Sequence, residues 1–456
     1  MTTSPSSQAR APRRPLLKTW LRSYFHRELA HVLRRLCVGD EVIVQVGGDG
    51  DVAARMDKTA SLVTDESSKL PSENVVTTDL TTFEGVDELS PATVLIPDAL
   101  PRLKDVQATL ECIGRRMESS DRLMITCYSS LWDGVYRLAE RLRLKSLPRG
   151  RENWVNATDL ENFLRLAGFQ VVRTIPVLLC PVRLPPIDWL LNRIVVRLPL
   201  IRHLAMAFVY VARKKGERRD YSISFVIPAR NERDNLKPLI EEIPPLGTSV
   251  EVIIVEGHSN DGTYEKALEL AEEHQLKVAK QTGIGKADAV KLGFEMATGE
   301  LLFIYDADRT VPMAEVVRFY EIVASGEAEF ANGTRLVYPL EDDSMRFFNK
   351  LGNRAFTMLL AYILDYPIRD TLCGTKVLFR RDYLRLRALM DTWTVKDPFG
   401  DFDLLFGARQ LNLAVIDVPI HYKSRRYGST NILRWTDGFR LARLCAEALR
   451  RMVFFI

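Results

Sequence analysis

Short apolar runs recur along most of the chain, and amphipathic stretches separate them. In the second half, the runs "SISFVIPA", "VEVIIVE", "LKVAK" and "ELLFIY" are each followed by a polar turn. Such runs, alternating with helical periodicity, are typical of strands in a largely parallel sheet. We expect Asn231 or Asp234 to cap the helix after the first of these strands, and Asn156 to cap a helix in the first half. The pattern therefore predicts an α/β fold.

One polar and strongly charged stretch, "ARKKGERRD", interrupts this pattern near the middle of the chain. We place the domain boundary there, because a chain of 456 residues is long enough for two or three domains with their own cores. The predicted organisation is a disordered basic N-terminus over 1–19, a first domain over 20–213, a basic linker over 214–220, a second domain over 221–432 and an amphipathic C-terminal helix over 433–456.

Composition excludes several classes of protein. Hydrophobic residues make up 46% of the chain and charged residues 27%, as in globular proteins rather than disordered or polytopic membrane proteins. A net charge of +4 is too small to predict binding to nucleic acid. The six cysteines lack zinc-like spacing, which favours reduced thiols in a cytoplasmic protein. We expect no export signal and no spanning helix of about 20 apolar residues, so any membrane contact would be peripheral.

Two aspartates end the most apolar run, in "GELLFIYDADRT". Asp306 and Asp308 alone are weak evidence, because surface turns are rich in aspartate. Further polar residues, however, follow two neighbouring predicted strands: Pro228, Asn231, Glu232, Glu256 and Asp261. The carboxyl ends of parallel strands meet at one edge of a sheet, where ligands bind. Because Mg²⁺ or Mn²⁺ is usually held by one or two carboxylates plus substrate phosphates, the pair predicts a metal and a nucleoside diphosphate.

Residues 221 to about 440 resemble family 2 glycosyltransferases of the GT-A fold, and most closely the dolichol-phosphate mannose synthase branch. The resemblance lies in segments that follow the family's order: "FVIPARNERDNL", "GIGKADAVKLGFEMATGELLFIYDAD", "DTLCGTKVLFRRDYL" and "FDLLFGARQLNLAVIDVPIHYKSRRYGSTNI". It implies an inverting, metal-dependent transfer of a sugar from a nucleoside-diphosphate sugar to a lipid-linked polyprenyl phosphate or another acceptor.

The resemblance also implies roles for individual residues. The donor would be bound by Pro228, Asn231, Glu232, Glu256, Lys286, Asp306 and Arg335. Asp306 and Asp308 would hold Mg²⁺ or Mn²⁺ with the diphosphate. The acceptor side would use Asp403, with Asp401 as a second candidate for the general base, and Arg425 to gather phosphates.

Two positions depart from the family's pattern. The family has Asp-Asp-Gly-Ser after its second strand, where this chain has Glu256, Gly257, His258 and Ser259. Asn431 stands where the mannose synthases often carry lysine. These changes leave the donor's base and the acceptor open.

The first half resembles class I S-adenosylmethionine-dependent methyltransferases, with a Rossmann-like sheet. Its first predicted strand ends in a glycine turn, and two later strands end in aspartates. The candidate cofactor residues are Gly47, Gly48, Gly50, Asp65 and Asp79. Gln45 stands where an acidic residue is expected, so a structural or docking domain is the alternative to S-adenosylmethionine binding.

Two segments predict peripheral contact with the inner face of the cell membrane. Residues 344–365 and the C-terminal helix each combine an apolar stripe with flanking arginines. The alternative is that both stripes pack on the protein core. For the whole chain, the alternatives to a glycosyltransferase are a non-catalytic sugar-nucleotide-binding protein and a bifunctional glycosyltransferase and methyltransferase.

Overall fold

The computed structural model divides the chain into two compact units, Met1–Lys214 and Lys215–Ile456. The residues that it describes are 15–37, 42–48, 50–56, 60–64, 75–83, 92–135, 153, 155–335, 337, 347–395, 397, 400–423 and 434–454. Each unit has its own seven-stranded sheet, so the predicted α/β class is confirmed. Each sheet is largely parallel, as predicted for the second half, and is mixed only because one of its seven strands runs antiparallel to both neighbours.

The first sheet has the strand order β3-β2-β1-β4-β5-β7-β6. Its strands are β1 Val42–Val46, β2 Ala60–Thr64, β3 Val75–Thr77, β4 Ala92–Ile96, β5 Arg122–Tyr128, β6 Phe169–Leu178 and β7 Ala207–Lys214. Its helices are α1 Pro15–Leu36, α2 Val106–Arg116, α3 Ala157–Leu166 and α4 Ile187–Arg193. Strands β1 to β5 are parallel in Rossmann order, whereas β7 is antiparallel to both neighbours. In that order, the crevice between β1 and β4 is where a ligand would bind.

The second sheet has the order β10-β9-β8-β11-β13-β12-β14. Its strands are β8 Ile223–Ala229, β9 Val250–Glu256, β10 Lys277–Lys280, β11 Leu301–Ile304, β12 Phe330–Thr334, β13 Lys376–Phe379 and β14 Val415–Pro419. Its helices are α5 Arg233–Glu241, α6 Thr263–His274, α7 Lys286–Met296, α8 Met313–Ala324, α9 Phe347–Leu364, α10 Arg380–Met390, α11 Asp401–Gln410 and α12 Arg434–Ala448, which continues into a π-helical turn over Leu449–Val453.

Both faces of the second sheet are buried, which explains why its strands read as unbroken apolar runs. In β8, Phe225 and Ile227 join the core on one face, while Val226 joins the core on the other. In β11, Leu302 and Phe303 divide in the same way. Four parallel strands, β10, β9, β8 and β11, therefore bring their carboxyl ends to one edge.

Two local predictions need correction. Helix α1 begins at Pro15, a residue well suited to a first helical turn, so part of the predicted disordered N-terminus is helical. The residue before α5 is Glu232, not Asn231 or Asp234, and its side chain makes no cap hydrogen bond, whereas the Arg233 N–H donates to the Asp261 carboxylate at 3.3 Å. Asn156, in contrast, caps α3 in a reciprocal capping box with Asp159, as predicted.

Candidate active site

Three turns meet where strands β8, β9 and β10 end. The Gly257 N–H donates to the carbonyl of Ala229 at 2.9 Å, and the Gln281 N–H donates to that of Glu256 at 3.0 Å. The Asn231 side chain accepts a hydrogen bond from the Asn260 N–H at 3.0 Å. Asn231 has φ 58°, in the left-handed region that asparagine tolerates better than most residues. The turns thus form one hydrogen-bonded edge.

The residues predicted to bind the donor's nucleoside lie along this edge. Pro228 is near the end of β8, and the Glu232 carboxylate accepts a hydrogen bond from the Asn235 amide at 2.6 Å. Glu256 is buried, and its Oε1 accepts from the Ser259 N–H. Its Oε2 makes no hydrogen bond, and the nearest described cation is Lys280, at 3.9 Å. Glu256 therefore keeps one acceptor atom for a donor group.

His258 stands where the family has a glycine, and the family's second aspartate is replaced by Gly257, so no second carboxylate is supplied. His258 has φ 60°, and its Nε2 lies 2.9 Å from the carbonyl oxygen of Gly283. This contact connects the second turn to the loop before α7.

Asp306 forms an ion pair with Lys286 at the first turn of α7. Burial raises the pKa of the Asp306 carboxyl, but the charge of Lys286 outweighs it and the pKa is lowered. Burial conversely lowers the pKa of Lys286, and the charges of Asp306 and Asp401 outweigh that effect and raise it. A Cβ on Gly374 would overlap the side-chain ends of both partners, so a larger residue there would displace this ion pair. The two predicted residues are thus brought together and are both charged.

A second buried ion pair continues this line of charges. Lys376 is fully buried, and its Nζ lies 2.8 Å from Oδ1 of Asp401 at the start of α11. Lys376 also donates to the carbonyl of Cys373. Its positive charge, like that of Arg335, helps to lower the pKa of Asp306. Opposite charges therefore alternate from Asp306 to Asp401.

Asp308 has different surroundings from Asp306. Its Oδ1 accepts from the hydroxyl of Thr310 at 2.8 Å and from its N–H at 3.2 Å. It lines a cavity of about 460 Å³ together with Arg309 and Lys423. Within the described part of the chain, no group of three or more His, Cys, Asp or Glu side chains is arranged to hold a metal. Carboxylates are ligands that a divalent ion prefers, but the cavity lined by Asp308 contains none of the other predicted donor residues.

Arg335 is held rigidly beside this site. Its guanidinium forms a two-pronged interaction with Asp370, with Nε–Oδ2 at 2.7 Å and Nη2–Oδ1 at 3.0 Å. It also stacks over the Tyr422 ring at 5.2 Å. Asp403 lies on the first turn of α11, and its backbone N–H donates to Asp397 at 3.2 Å. Arg425 lies outside the residues that the structure describes.

Comparison with known proteins identifies the domain that carries these turns and charges. The family model described as "Glycosyl transferase family 2" matches residues 224–387. This part of the second unit is therefore similar to family 2 glycosyltransferases.

Relatives of this part of the chain act on lipid phosphates, according to their names. The dolichol-phosphate mannosyltransferase of Pyrococcus furiosus is 32% identical over 151 residues, which are 32% of this chain and 42% of that protein. The undecaprenyl-phosphate 4-deoxy-4-formamido-L-arabinose transferase of Pectobacterium atrosepticum is 32% identical over 159 residues, 33% of this chain and 47% of that protein. The chain therefore spans less than half the length of these two relatives.

Among solved structures, glucosyl-3-phosphoglycerate synthase from Mycobacterium tuberculosis, crystallised with Mn²⁺, UDP and phosphoglyceric acid, has a TM-score of 0.38 and 17% identity. The match covers 50% of this chain and 78% of that one. A score this low carries no argument about substrate or cofactor.

Sequence reasoning missed Lys376 and Gly374 as part of this site. Both lie in "DTLCGTKVLF", where a lysine within an apolar strand was the available signal. A charged side chain in a strand with both faces buried needs a partner, and Asp401 is that partner.

The predicted cofactor residues of the first unit are engaged by the protein itself. The Gln45 amide donates to the carbonyl of Gly47 at 3.0 Å and accepts from the N–H of Ala53 at 2.9 Å. A Cβ on Gly47 would lie only 3.0 Å from that of Ala99. Gly48 and Gly50 share the positive φ of this turn. The glycine turn is thus closed by the Gln45 side chain, which bonds groups at both ends of it.

Only one of the two carboxylates expected to bind S-adenosylmethionine is described, and it makes its contacts within the protein. Asp79 is exposed and accepts from the N–H of Thr81 at 2.8 Å, with Lys104 at 3.4 Å. Asp65 lies outside the described residues. The crevice between β1 and β4 holds a different polar cluster, in which His26 of α1 lies between Asp51, at 2.9 Å, and Asp98, at 3.2 Å. The described residues therefore give no support to S-adenosylmethionine binding, which stays a prediction.

Proposed function

We propose that the second unit is an inverting glycosyltransferase that moves a sugar from a nucleoside-diphosphate sugar to a polyprenyl-phosphate acceptor, with a GT-A arrangement of its sheet. The observation that carries this proposal is the pairing of Asp306 with Lys286 at the end of β11, next to Asp308 and inside the segment that matches the family 2 model. This arrangement combines cationic and metal-binding groups where a leaving diphosphate needs both.

The proposed chemistry requires stabilisation of negative charge on the leaving diphosphate. A bound Mg²⁺ or Mn²⁺ supplies Lewis-acid stabilisation of that charge, and Asp308, with Asp306, would hold the ion. Lys286 is kept protonated by Asp306 and Asp401, so it can hydrogen-bond a phosphate oxygen. Arg335, fixed by Asp370, adds a second cation near Asp306.

We assign the acceptor side to Asp403 rather than Asp401. Asp401 forms an ion pair with buried Lys376. If Asp401 took up a proton as a general base, the buried charge of Lys376 would lose its partner. Asp403 is partly exposed on the same helix turn. A phosphate acceptor is already ionised, so Asp403 would orient it or accept a proton only from an alcohol. Arg425 remains a predicted phosphate ligand.

Membrane contact through helices α9 and α12 also belongs to this proposal. Met358 of α9 and Phe439 of α12 are strongly exposed, whereas neighbouring residues such as Leu360 and Leu444 are buried in the core. Both helices thus have one face on the core and at least one apolar side chain outside it. Over the residues described, no helix is long and apolar enough to cross a membrane.

A panel of nucleotide sugars tests the proposed reaction. The purified full-length protein would be incubated with each donor, polyprenyl phosphate in detergent, and either Mg²⁺ or Mn²⁺. We expect nucleoside-diphosphate release and a glycolipid product with one donor, both abolished by EDTA. If no donor is hydrolysed or transferred although one binds, the chain is a non-catalytic sugar-nucleotide-binding protein.

For the first unit we propose a docking function rather than methyl transfer. The closed glycine turn at Gly47 and the engaged Asp79 support this proposal. A bifunctional glycosyltransferase and methyltransferase remains the alternative, and cofactor binding separates the two.

A further inference from the structure

Helix α4 of the first unit has its polarity reversed. Its buried side chains are Asp188, 6% exposed, and Asn192, 2% exposed. Its outward side chains are Ile187, 56% exposed, Trp189, 49%, and Leu190, 46%. A helix on a water-facing surface normally has the opposite arrangement, with its apolar stripe on the core.

Specific hydrogen bonds hold the reversed helix in place. The Tyr24 hydroxyl of α1 donates to Asp188 at 2.9 Å, and the Asn192 amide donates to Tyr24 at 3.0 Å. The Asn192 side-chain oxygen accepts from the N–H groups of Leu179 and Cys180, at 2.9 and 2.8 Å. These hydrogen bonds hold the polar face of α4 inward, although Asp188 Oδ1 makes none, and the apolar face therefore points outward.

The residues on either side of α4 extend this apolar face. We call the exposed apolar residues of this segment the 182–204 surface: Val182, Leu184, Ile187, Trp189, Leu190, Leu198, Leu200 and Leu204. Leu200 is 89% exposed. Scattered exposed apolar residues are normal, but a run of this density in one segment marks an interaction site.

In helix α1 and residues 179–206, the acidic side chains are buried and several arginine side chains are exposed. Helix α1 and residues 179–206 contain two acidic residues, Glu28 and Asp188, and both are buried. Glu28 pairs with Arg193 at 3.0 Å, and Asp188 accepts from Tyr24. The described arginine side chains of these segments that are exposed are Arg22, Arg27, Arg34, Arg35 and Arg183. The outside is thus apolar and basic, without an exposed acid.

We propose that the 182–204 surface docks on an anionic lipid membrane. Tryptophan and leucine facing outward, flanked by arginines, suit the boundary between acyl chains and negatively charged headgroups. The surface is independent of the transfer reaction, because it lies in the first unit and uses none of the candidate active-site residues.

A second copy of the chain fits this surface less well. A two-fold interface would bring the same basic flanks of both copies together, with no exposed acid in these segments to pair with them. A membrane offers the complementary charge.

Vesicle co-sedimentation of the full-length protein tests the proposal. Vesicles would consist of phosphatidylcholine alone or of an equal mixture with phosphatidylglycerol. The test variant is Ile187→Ser/Trp189→Ser/Leu190→Ser, whose side chains are exposed. The matched control replaces three exposed leucines elsewhere: Leu166→Ser, Leu268→Ser and Leu384→Ser. We expect binding to the anionic vesicles, weakened at least about tenfold in the test variant and within about twofold of wild type in the control.

A conservative variant separates membrane contact from an effect on folding. In wild type, lipids brominated on the acyl chain should quench part of the tryptophan fluorescence. Trp189→Phe should still bind the vesicles and lose that share of the quenching. The proposal is overturned by equal binding to neutral vesicles, by unchanged binding of the test variant, or by a wild-type dimer that the test variant converts to a monomer without any vesicle binding. The last result would assign the surface to a second copy.

Discussion

Lys376 illustrates how a single residue organises the candidate active site. A fully buried lysine is rare unless it is paired, and Asp401 pairs with it across the interior. The positive charge of Lys376 also helps to lower the pKa of Asp306, the carboxylate that pairs with Lys286. A buried lysine can therefore influence the pKa of a carboxylate that is proposed to bind the donor.

Removing the Lys376 charge should destabilise the second unit. Lys376→Met leaves Asp401 buried without its cation, and breaking such a pair costs about 3–5 kcal/mol. The double variant Lys376→Met/Asp401→Asn, which removes both charges, should recover most of that loss. The measurement is the denaturant dependence of amide exchange in β13, which reports on this unit alone. Equal destabilisation in the single and the double variant would show that the ion pair is not the cause.

At the scale of elements, helix α1 is fixed to the first unit by the cluster around His26. Burial lowers the pKa of His26, but hydrogen bonds to Asp98 and Asp51 outweigh it and raise the pKa. Burial raises the pKa values of Asp51 and Asp98, but the bond to His26 outweighs it and lowers them. Tyr128 donates to Asp98, and Arg55 lies 3.1 Å from Asp51. The cluster thus favours a charged histidine between two charged carboxylates.

The attachment of α1 should therefore weaken as the pH rises. Because the pKa of His26 is raised in the folded protein, its contribution is complete below the ordinary value of 6.5 and is lost as the pH rises through the folded value. The carboxylates, whose pKa values are lowered, lose their contribution only in acid. Amide exchange in α1, corrected for intrinsic rates, should show less protection at about pH 8 than at about pH 6. His26→Gln should remove that difference, and its persistence in this variant would exclude His26 as its source.

Much of this element arrangement could be predicted from the sequence. Apolar runs bounded by polar turns located β8, β9, β10 and β11, because burial on both faces leaves little room for polar residues. The antiparallel position of β13 could not be predicted, since nothing in a four-residue apolar run specifies its neighbour. The reversed polarity of α4 was missed for a related reason, because periodicity shows that a helix has two faces but not which face is buried.

The candidate site was predictable only in part. Asp306 and Lys286 are far apart in sequence, and a family resemblance, not spacing, placed them in one site. The ion pair between Asp401 and Lys376 joins residues that are distant in sequence, so no local sequence pattern could predict it. Composition likewise could not reveal that Gln45 closes the glycine turn of the first unit.

At the scale of the whole molecule, two α/β units of similar architecture have different proposed tasks. The second has charges gathered at the carboxyl ends of its strands, around Asp306. The first has a closed glycine turn and an outward apolar surface. We therefore expect one unit to perform the chemistry and the other to hold the protein where its acceptor is.

Calorimetry of the full-length protein tests this division of tasks. Titration with S-adenosylmethionine to high micromolar concentration should give no binding heat, because the Gln45 side chain already bonds the Gly47 carbonyl and the Ala53 N–H. The donor identified in the nucleotide-sugar panel serves as the positive control in the same preparation. Saturable heat with S-adenosylmethionine would instead support the bifunctional alternative.

The most direct test of the central claim is donor turnover by Asp308→Asn in the presence of Mg²⁺ or Mn²⁺. This change keeps the size of the side chain and removes the charge beside the cavity. We predict that metal-dependent release of the nucleoside diphosphate falls at least about 100-fold, while Asp391→Asn, at an exposed position, keeps wild-type turnover. Retention of metal-dependent turnover by Asp308→Asn would contradict the assignment of this carboxylate to the metal and diphosphate.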